Sequence, residues 1–306
     1  MCSRRSPAHS GCDMNDLPGP DRPQATGSSF TTDWTTTDGT KIQARQWLAS
    51  KPRATTLLIH GMGDHSGRFD HVARFLNTQG LSVLAPDLRG HGLSDGQRGY
   101  IRDFEILLDD IDLALEQTRQ LAPADPCFIY GHSLGGMLVI LHTLRRQTDL
   151  AGLIASSPAL RIAMQAPTWK LQLGKLLRRT FPKISLNSGL DLNELSDDLQ
   201  FIAELATDPL RHQQVTPEGY FGMVESGQWC LDHAADLPCP SLIMHGKIDR
   251  ITDFQASQQF AHANDLCTLS TWDHGKHELH NMSHVEDVLQ TVGRFIETCL
   301  AGACSH

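Results

Sequence analysis

Short apolar runs alternate along this chain with stretches whose apolar positions recur every three or four residues. Ile42 to Leu48 alternates as a strand does, and Thr55-Thr56-Leu57-Leu58-Ile59 reads as a buried strand ending at His60-Gly61. Phe69 to Gln79 carries a helical period with Gly80 as its C-cap. Leu81 to Ala85 is the next strand and leads through Pro86-Asp87 into a glycine-rich loop. Phe104, Leu107, Leu108, Ile111 and Leu115 mark one face of a helix. Pro126 to Tyr130 is a strand, Met137 to His142 belongs to the helix after it, and Leu150 to Ala155 is a further strand. Ser241 to Met244, Cys267 to Thr271 and a last helix from His284 to about Leu300 resume the pattern, with Ser283 as that helix's N-cap. Strand–helix alternation of this kind predicts an α/β fold, a mostly parallel central sheet with helices on both faces.

Between Pro158 and Asp236 the alternation stops. This stretch reads mainly as helices and loops, with breaks at Pro167, Pro182, Pro209 and Pro217. The expected organisation is a core made of residues 29–157 and 237–300, with 158–236 inserted as a helical cap. Inside the insertion Ile162, Trp169, Leu173, Leu176 and Leu177 fall near one helical face, beside Lys170, Lys175, Arg178 and Arg179. Two readings follow: the face packs the cap onto the sheet domain, or it docks on a membrane or micelle as a peripheral contact. Residues 1–28 are rich in Ser, Pro, Gly and Asp and include Arg4 and Arg5, but they lack an apolar h-region. They are expected to form a disordered tail rather than a secretory signal.

A chain of 306 residues can bury a sizeable core, and 40% hydrophobic with 20% charged residues is ordinary for a soluble globular protein. The net charge of -9 argues against nucleic acid as a partner. No apolar run reaches the roughly 18 to 20 residues that a membrane span needs. The 8 cysteines form no C-x-x-C pair and no regular spacing, so neither a disulfide framework nor a zinc site is expected. A reducing cytoplasm is the expected location.

The chemistry centres on Gly131-His132-Ser133-Leu134-Gly135, which lies between a buried strand and a helix. Glycines on both sides of a serine in that setting suggest a nucleophile elbow, a turn too tight for larger neighbours. A serine hydroxyl is a weak nucleophile at neutral pH. It needs an imidazole to take its proton and a carboxylate to orient that imidazole. The chain order after such an elbow is serine, then acid, then histidine. Asp249, after the strand Ser241 to Met244 and the turn His245-Gly246-Lys247-Ile248, is the expected acid. Its rival Asp253 precedes Phe254-Gln255-Ala256 and looks like a helix N-cap. After the last strand either His274 or His277 has the loop position of the base. The run His274, His277, His280 and His284 also raises a metal site, but no Cys or carboxylate pattern accompanies it. Two backbone donors are required for an oxyanion. The expected pair is the N–H of Leu134, directly after the nucleophile, and the N–H of Met62, between Gly61 and Gly63. The plain alternative for that loop is a glycine-rich turn.

His60-Gly61-Met62-Gly63-Asp64-His65-Ser66-Gly67-Arg68-Phe69 resembles the H-G-x-G-E-H-S-x-R-Y segment of the monoacylglycerol lipases and related lysophospholipases. Asp87-Leu88-Arg89-Gly90-His91-Gly92-Leu93-Ser94, with Gly96 and Arg98-Gly99 after it, is similar to the same family. So are the G-H-S-L-G-G elbow, Asp208-Pro209-Leu210 and Lys276-His277-Glu278-Leu279-His280-Asn281. The resemblance covers roughly residues 30 to 300. It departs at Asp64, where Glu is usual, at Leu134, where Met is common, and in the leading tail. It implies the α/β-hydrolase fold, selects His277 as the base, and implies a cap forming an apolar acyl channel above Ser133. The implied activity is hydrolysis of a small-molecule lipid ester, monoacylglycerol first, through an acyl-enzyme on Ser133 without metal or organic cofactor. A lysophospholipase, a short-chain carboxylesterase or an acyltransferase could use the same residues. Dehalogenases and epoxide hydrolases of this fold use an aspartate nucleophile, so Ser133 argues against them. A non-catalytic binding protein of this fold usually lacks a triad member or an oxyanion element, and none is missing here.

Overall fold

The computed structural model describes residues 29–123, 125–163 and 167–303. The expected tail, 1–28, lies outside the described residues. In chain order the first half contains β1 (Ser29–Thr35), β2 (Lys41–Trp47), β3 (Ala54–Ile59), α1 (Asp70–Thr78), β4 (Leu81–Pro86), α2 (Phe104–Gln120), β5 (Cys127–His132), α3 (Leu134–Arg146) and β6 (Gly152–Ser156). The second half contains α4 (Thr168–Thr180), β7 (Leu186–Asn187), α5 (Leu199–Thr207), β8 (Gln214–Val215), α6 (Pro217–Asp232), β9 (Ser241–Gly246), α7 (Phe254–His262), β10 (Cys267–Trp272) and α8 (Val285–Ala303).

The main sheet has 8 strands in the order β1-β2-β4-β3-β5-β6-β9-β10. From β4 to β10 every pairing is parallel, while β1–β2 and β2–β4 are antiparallel. The apolar runs follow from burial on both faces. Along β3, Leu57 and Ile59 join the core layer with α2, α3, α6 and α7, whereas Leu58 joins the opposite layer with α1 and α8. The strand order changes direction at β3, with β4 added on one side and β5 on the other, and the C-terminal ends of β3 and β5 carry the loop after Ile59 and the turn at Ser133. Ligands gather at this end of an open parallel sheet.

Several elements differ from the sequence reading. β1 is an edge strand whose Thr and Asp side chains face solvent, so it offers no apolar run. The strands Pro126 to Tyr130 and Cys267 to Thr271 both read as apolar, which predicts buried cysteines; Cys127 is buried, but Cys267 sits on edge strand β10 and is only half-buried. The last helix begins at Val285, after the N-cap placed at Ser283, because the Ser283 N–H and hydroxyl donate instead to Asp197, at 2.9 and 2.7 Å.

The expected insertion 158–236 is not separate from the core throughout. Met223, Cys230 and Leu231 of α6 pack in the same layer as α3, so the last part of the segment belongs to the sheet domain's helical coat. The segment also contains the small antiparallel ribbon β7–β8, which its sequence did not announce. Ile162 is not on the face assigned to it. It precedes α4, bridges to Thr252 and packs on the core. Trp169, Leu173 and Leu176 of α4 point outward, 64%, 47% and 57% exposed, while Gly174 meets Phe221 of α6 and Leu177 is half-buried.

Candidate active site

Ser133 connects β5 to α3 with φ 55° and ψ -116°, a left-handed conformation that a non-glycine residue adopts only at a cost. The turn works because of its flanking glycines. A Cβ on Gly131 would collide with the Gly135 carbonyl, and one on Gly135 would collide with the Ile59 and His60 carbonyls at the end of β3. Two hydrogen bonds hold the bend, Ser133 N–H to Ser156 O at 2.9 Å and Ala159 N–H to Ser133 O at 3.0 Å. The side chain stands at the N-terminus of α3, where the field of the backbone N–H groups favours negative charge.

His277 comes to Ser133 from the loop after β10. Its Nε2 lies 2.9 Å from Ser133 Oγ, and its Nδ1 lies 2.8 Å from Asp249 Oδ2 in the loop after β9. Because the carboxylate can only accept, Nδ1 carries the proton and Nε2 receives the serine O–H. The structure therefore brings Ser133, His277 and Asp249 into one hydrogen-bonded line. The rival Asp253 caps α7 through Gln255 N–H, as the sequence predicts. His274 is solvent-exposed. Among the described residues no group of three or more His, Cys, Asp or Glu side chains is placed to hold a metal ion.

Asp249 is held more firmly than sequence reasoning foresees. Its Oδ1 accepts the N–H groups of Ile251 and Thr252, at 2.7 and 3.1 Å. Its Oδ2 also accepts the Thr252 hydroxyl at 2.8 Å, and His245 Nε2 approaches it to 3.2 Å. The His245 Nδ1 in turn accepts the Ser257 hydroxyl at 2.7 Å. Burial would raise the Asp249 pKa, but the charge of His277 and the bonds from His245 and His277 outweigh it and hold the carboxyl well below its usual range. Burial likewise works to lower the His277 pKa. The Asp249 carboxylate overcomes that, and the imidazole titrates above its ordinary 6.5. His245 and Thr252 lie on neither motif, but they stand four residues before the acid and three after it and are its local partners.

The loop after β3 closes the site from the other side. A Cβ on Gly61 would stand 3.2 Å from Ser133 Cβ, so this backbone lies directly against the Ser133 side chain. Leu134 is the first residue of α3, where a backbone N–H has no intrahelical acceptor. Met62 N–H forms no backbone hydrogen bond among the described residues. Both expected oxyanion donors therefore border Ser133 with their N–H groups unspent.

Ser133 and His277 open onto a cavity of about 170 Å³. Ile162, Leu190, Val215, Tyr220, Met223 and Ile251 give it apolar walls, and Asp64, Arg211, His212 and Glu278 form a polar part. Asp64 is buried. The loss of water, reinforced by Glu278 and opposed by Arg68 and Arg211, pushes its pKa up to about 7. The Asp208-Pro209-Leu210 segment is tied to the core. Asp208 Oδ2 accepts His65 Nε2–H at 2.9 Å and lies 3.7 Å from Arg68.

Residues 50–283 match the hydrolase family described as serine aminopeptidase, S33. An abhydrolase domain-containing protein of Dictyostelium discoideum is 33% identical over 88% of this chain, which spans only 29% of that longer protein. Human monoglyceride lipase is 30% identical, over 79% of this chain and 82% of its own length. Among solved structures, the monoacylglycerol lipase of Paleococcus ferrophilus aligns with a TM-score of 0.75 at 27% identity, covering 89% of this chain and 99% of that one. A match across most of the sequence, with the same sheet and helices, settles the family: this chain belongs to the serine aminopeptidase family of α/β-hydrolases, on its monoacylglycerol lipase branch.

Proposed function

We propose that this carboxylic ester hydrolase acts on single-chain lipids and converts monoacylglycerol to glycerol and fatty acid. The observation that carries the proposal is the line Ser133–His277–Asp249 opening onto a mostly apolar cavity. In this account Ser133 Oγ attacks the ester carbonyl as its proton passes to His277 Nε2. Asp249 stabilises the resulting imidazolium. The Met62 and Leu134 N–H groups receive the oxyanion. His277 then protonates the departing glycerol oxygen. Water, deprotonated by the same nitrogen, releases the fatty acid from Ser133. Human monoglyceride lipase and the Paleococcus ferrophilus enzyme are named for this activity, which supports the choice of substrate.

The polar part of the cavity favours an uncharged head group. Asp64, with its pKa pushed up to about 7, and Glu278 line this part together with Arg211, so a phosphate would meet at least one carboxylate for the one guanidinium. Lysophospholipids are accordingly expected to be poorer substrates. The outward stripe Trp169, Leu173 and Leu176, with Lys170, Lys175 and Arg179 beside it, suits peripheral contact with a lipid surface. Among the described residues no helix is long and apolar enough to cross a membrane. A cytoplasmic location is part of the same proposal.

The test is a hydrolysis panel of monoacylglycerols, diacylglycerols, lysophospholipids and p-nitrophenyl esters of graded chain length. Monoacylglycerol should give the highest kcat/KM. Turnover confined to acetate and butyrate esters would overturn the lipid assignment and leave the esterase.

A further inference from the structure

We infer that His212, a residue of the inserted segment, is a positioning residue for the oxyanion donor at Met62. The inference rests on the reading of Ser133 as nucleophile and Met62 as donor. The Met62 N–H and the Gly61 carbonyl belong to one planar trans peptide, so whatever holds the carbonyl sets the direction of the N–H. His60 holds it: Nδ1–H donates to Gly61 O at 2.7 Å, while Nε2 accepts Leu88 N–H at 2.9 Å and fixes the ring. The other end of the loop is held from the insertion. His212 N–H donates to the Gly63 carbonyl at 3.0 Å.

That contact is close enough to dictate the residue beneath it. Gly63 has φ 74°, and a Cβ there would collide with the His212 carbonyl. The His212 ring continues the support. Its centroid lies 4.8 Å from that of His91, which lies 5.2 Å from that of His60. Three imidazoles thus run from the insertion to the ring that orients the Gly61–Met62 peptide. Burial keeps all three uncharged at neutral pH, with His60 and His212 held down to about 4, so the row of tilted rings carries no mutual repulsion. His212 is also part of the cavity wall. Seating of the insertion and alignment of the donor therefore depend on the same residue.

Steady-state kinetics on monoacylglycerol test this with the full chain carrying His212→Ala, His212→Phe, Gly63→Ala, or His212→Ala with Gly63→Ala. Loss of an oxyanion donor costs about 100- to 1,000-fold in kcat. Slackening one should cost about tenfold in His212→Ala, with KM within about threefold of the parent. Both substitutions of His212 keep the backbone N–H to Gly63, but His212→Phe also keeps a flat ring against His91 and should restore most of kcat. Gly63→Ala displaces the residue-212 backbone and carries its ring away from His91, so removing the ring as well should cost nothing further, and the double variant should be no slower than Gly63→Ala alone. Thermal melting of each variant separates these effects from unfolding. A raised KM with unchanged kcat in His212→Ala would make the residue a wall of the cavity only and overturn the proposal. So would multiplicative losses in the double variant. Ser133→Ala, run in parallel, reports on the underlying reading: if it retains turnover, that reading fails whatever His212 does.

Discussion

Ser133 sits at φ 55°, where an L-residue with a Cβ is strained by about 1–2 kcal/mol and glycine is not. Two inactive variants should therefore differ in stability. Ser133→Gly should melt above Ser133→Ala, by up to about 1 kcal/mol after glycine's greater unfolded entropy is subtracted. Equal melting temperatures would remove strain from the account of the elbow. The base makes a second prediction. His277 must be neutral to accept the serine proton, and Asp249 raises its pKa above 6.5 despite burial. The kcat/KM should thus rise with pH through an apparent pKa above 6.5 and fall away on the acid side. Asp249→Asn removes the charge that supports the imidazolium and unsettles its tautomer. The expected loss in kcat is about 10⁴-fold, measurable on a p-nitrophenyl ester.

At the scale of elements, the packing of β5 and α3 beside β3 leaves no room for a side chain at Gly135. Gly135→Ala should fail to give soluble protein or should melt well below the parent, because backbone carbonyls of β3 cannot retreat as a flexible side chain can. Helix α4 presents the opposite situation, a stripe of apolar side chains left largely exposed by the described residues. Trp169→Ser combined with Leu176→Ser should weaken sedimentation with anionic vesicles while leaving hydrolysis of soluble p-nitrophenyl butyrate intact. Unchanged vesicle binding would contradict the peripheral contact. What sequence patterning could reveal divides along the same line. Strands β3 to β6 and β9 are buried on both faces and write themselves as apolar runs. Edge strand β1 and ribbon β7–β8 bury little, and their polar residues leave no pattern. Helix α6 lay inside the expected cap because position in the chain, not packing, was all that marked it.

Over the whole molecule, chain order conveyed more of the site than distance along the chain would suggest. Ser133 and Asp249 each follow a strand at the end where loops converge, and their places beside His277 could be expected from that alone. The choice of His277 over His274 needed the family motif, since both occupy the same loop. His245 and Thr252 are near neighbours of Asp249 in the chain but no motif marks them, whereas His212 is distant from the Gly63 loop in sequence and only folding brings it there. The most direct test of the central claim is labelling with a fluorophosphonate, read by intact-protein mass spectrometry and peptide mapping. One adduct per chain on Ser133 is predicted, absent from Ser133→Ala and lost or greatly slowed in His277→Ala. An adduct on another residue, or full monoacylglycerol turnover by fully labelled protein, would contradict it.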